Sequence, residues 1–259
     1  MSPTFLATLQ FNGGGFVGWQ RQANGRSVQG EVERVLERLA GRRVVATGAG
    51  RTDAGVHALG MPVSFSLPKP WEPTALRRAL NALLPDDCWV AAVHRMRDGF
   101  QARKAATGRR YRYDIGTDDA SFSPFRRPYE WALGRALEPE RLATAAAAIL
   151  GEHDFRAFAL SGQEKPHYRC TIREARWEPR PDGMGYRFHI AADRFLHQMV
   201  RMLVGTMVDI GLGRRDAHDM ALLLARTDNS ETSAPAPPQG LYFLAAEYPA
   251  EWYLDGAPA

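Results

Sequence analysis

The chain has 259 residues, 45% apolar and 24% charged, which suits one large globular domain or two ordinary ones. No apolar run approaches the roughly 18 residues of a membrane helix, and Met1-Ser2-Pro3-Thr4 lacks the basic and apolar stretches of a signal peptide. Two isolated cysteines, Cys88 and Cys170, suggest neither a disulfide framework nor a zinc site, so a reducing cytoplasm is expected.

The first strand is Thr4 to Phe11, with Phe5, Ala7, Leu9 and Phe11 on one face. Asn12-Gly13-Gly14-Gly15 breaks it. Ser27 then caps a helix with Val28, Val32, Val35, Leu36 and Leu39 at helical spacing. Val44 to Thr47 reads as a second strand. His57 to Leu67 reads as a third, which Pro62 demotes to an edge or a bulge. A helix from Thr74 to Leu84 and a strand from Trp89 to Met96 complete β-α-β-β-α-β, the ferredoxin-like plan.

The second half repeats it. Arg109 to Ile115 is a strand, and Leu142 to Leu150 is a helix with Gly151 at its end. Ile172 to Trp177 and Tyr186 to Ala192 are strands about a Pro181-Asp182-Gly183 turn. Apolar helices follow at Phe195 to Ile210 and Asp216 to Arg226, the Ser233 to Pro238 stretch is a loop, and Leu241 to Tyr248 is the last strand. The expected class is α+β: two ferredoxin-like (βαββαβ) halves, residues 1–105 and 106–259, forming a largely antiparallel eight-stranded sheet with a central cleft.

Charge adds a hint about the partner. The net charge is +4, with 30 Arg against 3 Lys. Guanidinium forks suit phosphates and base stacking, although a GC-rich genome produces the same excess. Arg95, Arg97, Arg103, Lys104, Arg109, Arg110 and Arg112 crowd one segment, with Asp98 the lone acid and Phe100, Tyr111 and Tyr113 interleaved. Such a stripe either holds a nucleic-acid backbone while an aromatic ring stacks a base, or is a solvated face with its tyrosines in the core.

The loop Gly48-Ala49-Gly50-Arg51-Thr52-Asp53-Ala54-Gly55-Val56-His57 is neither a dinucleotide fingerprint nor a P-loop. It presents Asp53 beside Arg51, whose positive charge favours the ionised carboxylate. An ionised carboxylate can serve as nucleophile or base. An Asx turn with a local ion pair is the plain alternative.

Gly50-Arg51-Thr52-Asp53-Ala54-Gly55-Val56-His57 resembles the catalytic loop of the bacterial tRNA pseudouridine synthase A (TruA) family. Gly18-Trp19-Gln20-Arg21-Gln22, Ser27-Val28-Gln29-Gly30, Phe100-Gln101-Ala102-Arg103, Arg109 to Tyr113, Phe195 to Arg201 with Val204-Gly205, and Gly240-Leu241-Tyr242 agree in type and order, so the resemblance spans nearly the whole chain. Two stretches depart mildly from the family pattern: Asn12-Gly13-Gly14-Gly15-Phe16, and the segment from Ser161 to Pro166.

The resemblance implies that Asp53 is the essential aspartate, that Tyr111 packs against the target base, that Arg51 and Arg201 frame the site, and that Leu241 lines its wall. It further implies a homodimer acting on uridines 38, 39 and 40 in the tRNA anticodon stem-loop. Such an isomerisation needs no cofactor and no metal. Arg201 lies in an apolar helix, where it either reaches a partner such as Asp53 or faces water. A non-catalytic RNA-binding protein and a nucleoside or glycoside hydrolase are the rival readings. The first leaves the Arg51-Thr52-Asp53 loop unexplained, and the second lacks a second placed acid.

Overall fold

A computed structural model describes residues 2–160, 166–181 and 183–257. Asp182 of the expected turn and Ser161 to Lys165 of the family-variable segment lie outside the described residues. The class is α+β. The chain divides into two compact units, Met1–Gly108 with Phe243–Ala259, and Arg109–Tyr242.

In the first unit the strands are β1 (Thr4–Phe11), β2 (Thr47–Gly48), β3 (His57–Ser66), β4 (Cys88–Met96) and β10 (Leu241–Glu247), and the helices are α1 (Val28–Ala40) and α2 (Pro73–Asn81). Its sheet runs β4-β1-β3-β10, with β2 also against β3. β1 is central and antiparallel to both neighbours, pairing Ala7 with Val63 and with Val93. Ala7, Leu9, Val63, Phe65 and Val90 meet Val32 of α1 and Leu80 of α2 around one small apolar void, so both helices cover one face. The Ser27 cap of α1 is as read from sequence, its side chain accepting from the Gly30 N–H; at the other end Gly41 closes the helix in a left-handed conformation.

One expectation for this unit fails and another holds in part: β3 is no edge strand, but its register against β1 shifts beside Pro62, between Met61 and Ala58. The strand over Val44 to Thr47 shrinks to Thr47–Gly48, because α1 takes the backbone of Ala46: Glu33 Oε1 accepts its N–H at 3.2 Å and Gln29 Nε2 donates to its carbonyl at 3.1 Å. Pro62 sits within β3, an inner strand paired with β1 through Thr8 and flanked on its other side by β2 and β10. The Pro62 carbonyl accepts from the Ala49 N–H, so the missing donor points to the side where β2 is only two residues long and little ladder is lost.

The second unit has β5 (Gly108–Gly116), β6 (Trp131–Ala132), β7 (Gly151–Asp154), β8 (Arg169–Pro179) and β9 (Gly185–Ala192), with helices α3 (Pro139–Ala147), α4 (Met199–Gly211) and α5 (Asp219–Leu224). Its sheet is β5-β9-β8-β7, antiparallel throughout, with β6 added parallel to β5. Three expected bounds move. The apolar run at Phe195 is not yet helical, because Gln198 adopts φ 62 and α4 starts at Met199. The last helix is α5 alone, since Asp216 turns the chain instead by accepting from the His218 N–H. Gly151 does not end the α3 helix but opens β7, three residues after the Ala148 cap.

Candidate catalytic loop and base-binding residues

Asp53 is half-buried in the turn joining β2 to β3, where the Val56 N–H returns to the Asp53 carbonyl at 3.2 Å. Arg51, two residues earlier, is exposed, and Thr52 between them is buried. This loop is braced from below by the segment before α1. Trp19 is buried and lies against Gly48. Its N–H donates to the Thr52 carbonyl at 3.1 Å, while its own carbonyl accepts from the Gln29 N–H at 3.0 Å. The Val28 N–H in the first turn of α1 donates to Gly18. The chain around Asp53 is thereby tied to the capped end of a helix.

Gly18 has φ +107, and a Cβ there would stand 2.6 Å from the Thr52 oxygen, so only glycine fits. At the other end of the loop, the buried His57 accepts the Gly13 N–H on Nδ1 at 3.0 Å, fixing that nitrogen as unprotonated.

Tyr111, Arg201 and Leu241 belong to the second unit. Tyr111 is nearly buried on β5, opposite Ile190, and meets the Phe195 ring edge-on at 5.0 Å. Arg201, in the first turn of α4, is half-buried, and its Nε donates to the Ala236 carbonyl at 2.8 Å. Tyr113 is fully buried and its hydroxyl donates to the adjacent Pro237 carbonyl at 2.7 Å. Burial pushes its phenol well above the ordinary range, against the pull of the nearby Arg201 charge. Two side chains therefore hold the irregular segment at Ala236 and Pro237, which leads through a 3-10 turn at Pro238–Gly240 into Leu241, buried at the start of β10.

Further along β5, Arg187 donates twice to the buried Asp114, at 2.8 and 3.1 Å, and Arg112 pairs with the same carboxylate while lying over the Tyr242 ring at 4.4 Å. Burial first, and then the Asp114 charge, push the Tyr242 phenol up to about 12.

The basic segment proves divided. Arg95 is matched to Asp255, Arg97 to the Glu251 carbonyl, Arg110 to Glu174 and Arg112 to Asp114. Arg103 and Lys104 are exposed. Sequence reasoning assigned no role to Trp19, Gly18 or His57 and left Tyr113 as either a stacking ring or a core side chain; its only signal for the first three was that Gly18-Trp19 and His57 fall inside family-like motifs. Among the described residues no group of three His, Cys, Asp or Glu could hold a metal ion, and no helix is long and apolar enough to cross a membrane.

Comparison with known proteins gives one consistent result. The profile of the tRNA pseudouridine synthase family matches residues 7–99 and 145–249. A tRNA pseudouridine synthase A of Myxococcus xanthus is 39% identical over 257 residues, covering 99% of this chain and 94% of that protein. Proteins of the same description from Methylocella silvestris and Solidesulfovibrio magneticus are 38% and 40% identical, covering 95% and 93% of this chain and 98% and 89% of theirs.

Proposed function

The chain belongs to the tRNA pseudouridine synthase family, and from that premise we propose that it isomerises uridines of the tRNA anticodon stem-loop to pseudouridine, with Asp53 as its catalytic carboxylate. The observation that carries this reading is the bracing of the Asp53 turn by Trp19 and Gly18: a carboxylate in a solvated Asx turn needs no such support, whereas one that must meet a reacting sugar or base does.

The reaction balances without an added reagent. The bond from N1 of uracil to C1′ of ribose breaks, the base turns, a bond from C5 to C1′ forms, the C5 proton leaves, and N1 gains one. Asp53 acts as nucleophile or base at the sugar or the uracil. The target base leaves its stack to reach it, and Tyr111 packs against the extruded uracil. Arg51 and Arg201 help frame the site, and Leu241 forms part of the pocket wall. The enzyme works as a cytoplasmic homodimer.

The test is tRNA labelled with tritium at C5 of uracil. Wild type releases the label; Asp53→Ala binds the tRNA and releases none. Free uracil among the products would make the chain a hydrolase instead. Equal binding with no release by either protein would leave it an RNA-binding module.

A further inference from the structure

The lost strand over Val44 to Ala46 has a consequence for the surface. Because Gln29 and Glu33 draw Ala46 toward α1, the chain on the N-terminal side of Thr47 splays away from the end of β3. Between them opens a cleft of about 600 Å³. Arg42 and Arg43, which follow the Gly41 cap of α1, stand on one side of it; Thr47, Ser64, Ser66 and Gln101 contribute hydroxyls and an amide. Among the described residues no carboxylate lines it.

The guanidiniums of Arg21, Arg26, Arg34 and Arg95 in this unit are each matched to a carboxylate, but among the described residues no hydrogen bond or ion pair ties Arg42 or Arg43, both exposed, to the protein. Two unmatched guanidinium forks over hydroxyl and amide groups, with no competing acid, suit a phosphodiester whose flanking ribose also offers hydroxyls.

The position excludes the reacting base as occupant. The catalytic loop enters β3 at His57, and the cleft lies at Ser64 to Ser66, the other end of the strand. At about 3.3 Å per residue Ser64 to Ser66 lie roughly 25 Å along β3 from His57, while Thr47, the lining residue nearest the loop in sequence, is six residues before Asp53.

We infer that this cleft is a second RNA contact, holding a backbone phosphate of the substrate tRNA remote from the uridine being isomerised. The inference rests on the tRNA reading above.

The test compares wild type with Arg42→Gln/Arg43→Gln and with a charge-matched control, Arg77→Gln/Arg78→Gln on α2, in tritium release from full-length tRNA and in filter binding across a salt series. In the cleft variant, KM and Kd rise about tenfold with kcat within twofold of wild type, and the slope of log affinity against log salt becomes shallower by about one to two. The control stays at wild-type values. Unchanged KM, Kd and salt slope in the cleft variant overturn the inference. An equal shift in the control also overturns it, because the effect would then be net charge and not this cleft. If wild type released no tritium, the catalytic reading would fail while filter binding still decided the cleft.

Discussion

Gly18 lies so close to Thr52 that a side-chain carbon on it would meet the Thr52 carbonyl oxygen at 2.6 Å, with Asp53 the next residue along the chain. The contact is backbone against backbone and the φ of +107 is one that L side chains rarely adopt, so neither strand of the contact can yield cheaply. Gly18→Ala is expected to cost about 2–4 kcal/mol of stability and to lower kcat at least tenfold, read by urea unfolding and by tritium release. A variant with wild-type kcat would show that the loop needs no support from this segment.

A second close approach acts on Arg201. Gly205 in α4 faces the Ala234 carbonyl, which would stand 2.1 Å from a Cβ there. Gly205→Ala is expected to push the helix away from the 234–237 segment whose Ala236 carbonyl holds Arg201. The expected result is a fall in kcat of about tenfold, the order of one charge-assisted contact, with tRNA binding by filter assay within twofold. Retained turnover would mean that Arg201 is placed by other contacts.

Asp114 joins two guanidiniums, those of Arg187 and Arg112. Asp114→Asn leaves Arg187 and Arg112 without their shared counter-charge. Removal of one partner from a fully buried pair costs about 3–5 kcal/mol. Here both arginine side chains keep about a fifth of their surface exposed, 23% and 21%, so about 2–3 kcal/mol is expected. Chemical unfolding of the single and double variants with Arg187→Met decides it. Additive losses would mean that the pair is not coupled.

Cys88 gives the fold an alkaline limit. Burial first, and then the neighbouring Asp87 carboxylate, push its thiol up to about 12, whereas in the unfolded chain it ionises near about 8.5. Below that value the thiol is protonated in both states, and its contribution is fully present. Above it the unfolded chain sheds the proton first, so stability falls with rising pH by up to about 1.4 kcal/mol per unit until the folded thiol ionises as well. Urea midpoints between pH 8 and 10.5 are expected to fall more steeply for wild type than for Cys88→Ala. Parallel slopes would assign the alkaline loss to other groups, Tyr242 first among them.

Sequence carried local signals well and long-range ones poorly. β1 and the start of α1 were legible because alternation and the Ser27 cap act within a few residues. β2 was misjudged because the groups that claim Ala46 come from Gln29 and Glu33, 17 and 13 residues away. The start of α4 was hidden because a run of apolar residues says nothing of the left-handed backbone at Gln198. β7, Gly-Glu-His-Asp, has no alternating apolar residues to betray it; its partner is β8, through His153 and Cys170.

In the site, the Asp53 loop was visible as a composition of glycines around a carboxylate, but its support by Trp19 was not, since Trp19 reaches Thr52 across 33 positions of chain. The basic stripe was read as one surface, and only the structure shows which guanidiniums are already matched to Asp255, Glu174 and Asp114.

β10 has a bearing on how the protein is made. The first unit draws on residues 243–257 as well as 2–108, so the edge of β3 that β10 covers stays open while the whole second unit is being translated. At about 5–20 residues per second the nascent sheet waits on the order of ten seconds with unpaired backbone groups, a template for mispairing. The unit that carries Asp53 therefore completes its sheet only after residues 109–242 have been made.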